Sequence, residues 1–236
     1  WLRKQYNTKS LVDSLNDSTA HSTKYDYTPH GVPVLYRDET IIVLDKPSGL
    51  LSVPGIGFEK RDCVSVRVAS AVEGARIVHR LDRDTSGVMI MANDKESHRE
   101  LSRQFQDREV EKRYEAIVFG LVKEDTGTID LPIRKDMENP PKQCVDHEQG
   151  KPSLTNWKVL ERLQDCTRLE LYPKTGRSHQ LRLHLREIGH PILGDDLYAS
   201  PSQQAMSNRL LLHATSLTVV HPVTKKRAVF ESSIPF

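Results

Sequence analysis

The chain has 236 residues, a formal net charge of +2, 37% hydrophobic and 28% charged residues, and a mean hydropathy of −0.54. That length suits one large domain or two small ones, no apolar run approaches the ~20 residues of a membrane-spanning helix, and WLRKQYNTKS lacks the apolar core of a secretion signal. Cys63, Cys144 and Cys166 form no C-x-x-C pair and the ten histidines form no H-E-x-x-H pattern, so no metal or redox motif is present and a cytoplasmic setting is expected.

Residues 1–28 are rich in Ser, Thr, Asn, Asp and Lys, and read as a flexible or loosely docked arm. From Val34 the pattern becomes globular, and residues 29–236 are expected to form the folded domain. ETIIVLDKPSG contains a short strand, Ile41 to Leu44, stopped by Pro47 and Gly49. VSVRVASAV suits a helix or a strand equally, and HRLDRDTSG then leads into a strand from Val88 to Ala92. Asn93 offers an N-cap with Glu96 three residues on, opening a helix through about Asp107 with Leu101 and Phe105 facing the core.

KRYEAIVFG alternates as a strand with Tyr114, Ala116 and Val118 on one side. Residues 134–152, polar and Pro-broken, predict a long excursion or irregular hairpin. SLTNWKVLER and CTRLELYP read as two more strands. TGRSHQLRLHLREIG reads as an amphipathic helix with Leu181, Leu185 and Ile188 inward, Ser178 near its start and Gly189 beyond its end. LLLHATSLTVVHP supplies a closing strand. Many strands with few, separated helices predict an α+β fold on a mixed, mostly antiparallel sheet.

Charge distribution says more than net charge. Residues 174–186 hold Lys174, Arg177, Arg182 and Arg186 without one acid. Residues 95–113 set six basic groups against five acids and read as a solvated helix face. HRLDRDTSG is the most concentrated case, with His79, Arg80, Asp82, Arg83 and Asp84 at the mouth of an apolar strand. Such a loop presents a carboxylate among guanidinium groups on a rigid scaffold.

HRLDRDTSG, joined to the Tyr-bearing strand and to TGRSHQLRLHL, resembles the RluA family of pseudouridine synthases. The likeness runs over roughly residues 29–236 in the family's order, through KPSGLLSVPG, QFQDREVEKRYEAIVFG and GHPILGDDLYAS. LLSVPG, IDLPI, GKP and RLLLHA look most like the branch that acts on both transfer RNA and large-subunit ribosomal RNA. Asn139-Pro140-Pro141 departs from the family's Asn-Arg-Pro and removes one basic group from that loop.

The resemblance implies a mixed sheet with a central cleft, no cofactor, no metal, a monomer, and a structured RNA stem-loop as partner. It implies that Asp82 is the reacting carboxylate, with Arg177 as its partner, and that Tyr114 stacks on the uracil and serves the C5 proton. It also implies that Arg80 fills the gap left by a flipped nucleotide. Arg182, in the acid-free run, is expected on the substrate. The sequence leaves open whether Asp82 attacks C1′, adds to the base or takes a sugar proton. KPSGLLSVPG lacks a phosphate loop's Gly-Lys-Ser/Thr ending and reads as a turn supporting the cleft.

Three other readings compete. A catalytically inactive RNA-binding protein would keep the basic run without needing Asp82. A two-histidine phosphoesterase would use H-x-T at 21–23 and 213–215, although the first lies in the polar arm. A glycosidase would need a second carboxylate beside Asp82, and nothing marks Asp84 as an acid.

Overall fold

The structure, a computed structural model, describes residues 29–236; the arm over 1–28 and its H-x-T lie outside the described residues. In chain order the elements are β1 (Val34–Arg37), β2 (Ile41–Lys46), α1 (Val64–Ala69), β3 (Arg76–Ile77), β4 (Ser86–Ala92) and α2 (Lys95–Gln106). There follow β5 (Glu111–Phe119), β6 (Thr126–Asp130), β7 (Ile133–Lys135), β8 (Gln143–Val145), β9 (Leu154–Arg162) and β10 (Cys166–Pro173). α3 (Gln180–Glu187), α4 (Pro201–Gln204), β11 (Leu212–Val220) and β12 (Arg227–Glu231) complete the described chain.

Every residue of β4 is buried, because both of its faces are covered. Met89 and Met91 point to one side, where Val64 and Val68 of α1 pack; Val88, Ile90 and Ala92 point to the other, against Leu101 of α2. Leu101 is fully buried, so truncating it to Ala costs about 2–5 kcal/mol. The ambiguous VSVRVASAV resolves into the short helix α1 followed by a turn.

The main sheet has ten strands among the described residues, with the path β1-β2-β4-β11-β5-β10-β9-β6; β12 pairs with β11 and β3 with β4. The pairing of β4 with β11 is parallel and the other pairings are antiparallel, which makes the sheet mixed and mostly antiparallel as the composition of elements predicts. A third apolar cluster lies under α3, where Leu181 and Leu185 meet Ala116, Val118, Leu169 and Leu171. Tyr114 packs against this cluster and against the one under α1, so it stands where the two halves of the core meet. The polar stretch 134–152 forms the small hairpin β7–β8.

Two helix starts differ from expectation. Asp94, not Asn93, caps α2, its carboxylate accepting from the backbone N–H of Glu96 (2.8 Å) and Ser97 (2.9 Å). Asn93 is occupied elsewhere, donating through Nδ2 to the Asp38 carbonyl at 3.0 Å. α3 begins at Gln180, after His179 in a left-handed conformation (φ 53°, ψ 17°), so Thr175 to Ser178 form a turn before the helix.

Candidate active site

The loop between β3 and β4 carries HRLDRDTSG, and the KPSGLLS segment holds it from beneath. Lys46 is fully buried and donates through Nζ to the carbonyls of Pro47 (2.9 Å), Leu50 (2.6 Å) and Arg83 (2.8 Å). Burial pushes this ammonium down to about 7, against the opposing pull of Asp84 and Asp82. Ser52 Oγ donates to the Leu81 carbonyl at 2.6 Å and accepts from the Leu81 N–H at 3.1 Å. Ser48 Oγ donates to the Asp84 carbonyl, and the Gly49 N–H donates to that of Arg83. The backbone on both sides of Asp82 is therefore pinned, and the segment is the supporting turn that its sequence predicts.

The register of β4 then aims the loop. Gly87 (φ +111°) lies opposite Ala214 on β11, and a Cβ there would stand 2.2 Å from the Ala214 carbonyl oxygen. Ala214 in turn faces Tyr114 on β5, so two successive rungs across three strands carry the loop's exit to the tyrosine. Ser86 Oγ accepts from Arg209 (2.6 Å) and shares a hydrogen bond with His213 Nδ1 (2.8 Å), while His213 Nε2 meets Ser232 Oγ at 3.1 Å. His213, from the second H-x-T, is thus buried and committed to holding strands together.

A cleft of about 600 Å³ opens at this point, lined by Arg80, Asp82, Tyr114, Arg177 and Arg182 among others. Asp82 is half-buried and makes no side-chain hydrogen bond or ion pair among the described residues. Burial, and after it the charge of Asp82, push the Tyr114 hydroxyl well above the usual phenol range. Arg80 is exposed at the rim. His79, beside it, is stacked on Phe105 with ring centroids 4.5 Å apart and accepts from the Ile90 N–H. Arg83 pairs with Asp84 and Asp196.

Arg177 and Arg182, from the 174–186 run, divide differently from expectation. Arg177 makes no ion pair with Asp82; its Nε is buried without a partner, and it is held through its backbone, the N–H donating to Gln180 Oε1 at 3.1 Å and the carbonyl accepting from the Gln180 N–H at 3.2 Å. It precedes the left-handed turn at His179, whereas Arg182 lies inside α3 facing inward. Arg182 Nε and Nη2 reach the two oxygens of Asp195 at 2.7 and 2.6 Å, and Nη2 also reaches Asp196 at 2.7 Å. Burial works against this guanidinium's charge, but the Asp195 hydrogen bonds and the charges of Asp195, Asp82 and Asp196 outweigh it. Arg182 therefore feels the charge of Asp82 while its own hydrogen bonds go to Asp195 and Asp196.

Sequence reasoning missed several residues around the cleft. Burial lowers His179, with Asp82 opposing; its Nδ1 meets Tyr198 Oη at 2.9 Å, and that hydroxyl accepts from the Gln143 N–H at 2.8 Å. This ties the β7–β8 hairpin to the start of α3. Asp195 was visible in GDDLYAS, but its partner was not. Lys46 carried no mark beyond the KPSG turn, and Lys112 lay hidden in a charge run balanced overall. Among the described residues no group of three or more His, Cys, Asp or Glu is placed to hold a metal ion, and no helix is long and apolar enough to cross a membrane.

Comparison with known proteins agrees with this arrangement. Residues 40–187 match the RNA pseudouridylate synthase family. The chain is 48% identical over 215 residues to the dual-specificity RNA pseudouridine synthase RluA of Escherichia coli strain K12, covering 89% of this chain and 98% of that protein. It is 52% identical over 190 residues to the protein of the same name from Yersinia pestis, covering 80% and 92%. Among solved structures, human RNA Pseudouridylate Synthase Domain Containing 1 superposes with a TM-score of 0.75 at 29% identity, covering 90% of this chain and 87% of that one. A matched stretch that spans the cradle, the Asp82 loop, the Tyr114 strand and α3 leaves one assignment: the chain belongs to the RNA pseudouridylate synthase family.

Proposed function

We propose that this pseudouridine synthase isomerises specific uridines in stem-loops of ribosomal RNA, transfer RNA or both, with Asp82 as the carboxylate that acts on the nucleotide. One observation carries the reading: a half-buried carboxylate with no partner of its own, on a loop pinned at both sides, in a cleft lined by the exposed Arg80 and the half-buried Arg177. A carboxylate held this way is free to engage a substrate atom, since no guanidinium must first release it.

The reaction breaks the N1–C1′ bond, turns the uracil and forms C5–C1′, with the C5 proton lost and N1 gaining one. Tyr114 lies under the base in this reading and stacks on it. Its hydroxyl remains a phenol, so it relays the C5 proton rather than abstracting it as a phenolate. Arg80 occupies the gap that the flipped nucleotide leaves. Arg177 meets the substrate through its unpaired guanidinium, whereas Arg182, already committed to Asp195 and Asp196, supplies a fixed positive charge behind Asp82.

The dual-specificity name of the bacterial relatives supports more than one RNA as substrate, and this reading places the reaction in the cytoplasm. The test is a map of pseudouridines in ribosomal and transfer RNA from cells with and without the protein. Positions lost without it and restored by the wild-type chain, but not by Asp82→Asn, identify the substrates. Identical maps overturn the reading.

A further inference from the structure

The charged run 95–113 divides in the folded chain. Its helical part is the solvated face that its charge balance predicts: Arg99 lies on Glu96, and Arg103 on Glu100, Asp107 and Glu109. Arg108 and Lys112 leave that face and line the cleft, where Lys174 joins them from the turn before α3. Lys112 is two residues before Tyr114 on β5, so both side chains take the same face of the strand.

No acid meets these three cations. Lys112 Nζ donates to the Thr175 carbonyl at 3.2 Å and makes no ion pair, and the side chains of Arg108 and Lys174 make no hydrogen bond or ion pair among the described residues. Several arginines elsewhere do meet an acid, Arg67 lying on Asp62, Arg134 on Asp146 and Arg162 on Asp125. Burying a lysine among like charges is costly, and a strand position that needed only packing would be better served by an apolar side chain. The complement to such a cluster is an anion with several oxygens.

We propose that Lys112, with Arg108 and Lys174 around it, forms a subsite for a phosphate of the RNA backbone beside the target uridine. This rests on the reading of the cleft as an RNA site. Its consequence is a coupling between binding and protonation. Burial, then the charges of Arg108 and Lys174, push the Lys112 ammonium down to about 8. A bound phosphate supplies the missing opposite charge and restores the ammonium, so binding takes up a proton and weakens as pH rises past about 8. The charged and titratable groups facing Lys112 are Arg108, Lys174 and His79. Burial and the Lys112 charge hold His79 near 3, so it stays neutral throughout this range. Lys46 titrates near 7, but beneath the loop on three carbonyls.

The test measures binding of a uridine-loop RNA hairpin to the wild type, Lys112→Arg and Lys112→Gln, across pH and salt, with thermal unfolding of each protein alongside. The wild type is expected to lose several-fold in affinity between about pH 7 and pH 9. Arg, which keeps its charge, should bind at least as tightly at neutral pH and lose that pH dependence. Gln should bind about tenfold more weakly and lower the salt slope by about one. Equal affinity and salt slope for Gln and wild type, or an undiminished pH dependence in Lys112→Arg, overturns the subsite. Failure of the wild type to isomerise any uridine, with the binding pattern intact, would instead remove the functional reading and leave an RNA phosphate site.

Discussion

Arg182 and Asp195 face each other through two hydrogen bonds of 2.7 and 2.6 Å, with side-chain exposures of 3% and 0%. Removing one partner of such a pair leaves a charge buried alone. Arg182→Met should therefore lower stability by about 3–5 kcal/mol, and adding Asp195→Asn, which removes the stranded charge and keeps an oxygen for the N–H groups of Leu197 and Tyr198, should recover part of it. Arg177→Met, which breaks no ion pair, should stay within about 0.5 kcal/mol of wild type. Urea unfolding of the four proteins checks this, and equal losses for the two single arginine variants would contradict the division between them.

Asp82→Asn should abolish isomerisation while leaving RNA affinity within about tenfold, or ~1.4 kcal/mol. Asp82 makes no hydrogen bond that the fold depends on, so the exchange should not disturb the loop. Single-turnover assays with a saturating excess of enzyme separate chemistry from binding, and turnover by the Asn protein would remove Asp82 from the mechanism.

Arg80→Ala should harm stem-loop substrates more than a short single strand containing the same uridine. Arg80 is exposed at the rim and makes no ion pair to lose. Flipping costs a few kcal/mol from a stacked loop and less where the base is already free. Comparing kcat/KM on both substrates checks this; equal losses would assign Arg80 to another role.

At Tyr114, Phe keeps the ring and its stacking, worth ~1–3 kcal/mol per base, and removes the hydroxyl. The Phe protein should bind RNA nearly normally and stall after the glycosidic bond has broken, whereas Leu should bind more weakly and fail as well. Tyr114 touches both halves of the core, so thermal unfolding of each variant is needed alongside. Wild-type turnover by the Phe protein would leave the hydroxyl without a chemical part.

Asp38, in the turn between β1 and β2, accepts from the N–H groups of Thr40 and Ile41, from Tyr36 Oη, and meets His221 Nε2 at 2.8 Å. Burial raises this carboxyl, but the hydrogen bonds from His221, Ile41, Thr40 and Tyr36 outweigh it and hold it well below the usual carboxylate range. A depressed folded value means stability that is present above the ordinary value of 3.8 and lost as pH falls below it. Asp38→Asn should cost ~1–3 kcal/mol at neutral pH and flatten the acid limb of the stability profile. Chemical denaturation between pH 7 and pH 3 checks the sign; an acid limb as steep as that of wild type would refute it.

The elements that were legible in the sequence are those whose signal is local. β4 reads as an apolar run because both of its faces are covered, and α2 through the spacing of Leu101 and Phe105. The supporting turn was visible in KPSG, and the candidate carboxylate in HRLD. β12 and the edge strands β1, β3 and β6 were less visible, because each has five residues or fewer, too short for a clear alternation, and takes its ladder from a neighbour.

Chain order and residue type alone determined that one carboxylate stands among arginines at the mouth of a buried strand, and that an acid-free basic run follows later. Which cation does what was decided by tertiary structure. Arg177 and Arg182 look alike in the sequence; a left-handed turn at His179 separates them, leaving one without an ion pair and burying the other on Asp195. Arg103 and Lys112 belong to one charge run, yet the first is neutralised on a helix face and the second is carried by β5 into the cleft. The reason is physical. Periodicity is written in neighbouring residues, whereas the partner of a charge depends on which strands adjoin, and here β11, from late in the chain, inserts between β4 and β5 to set the cleft.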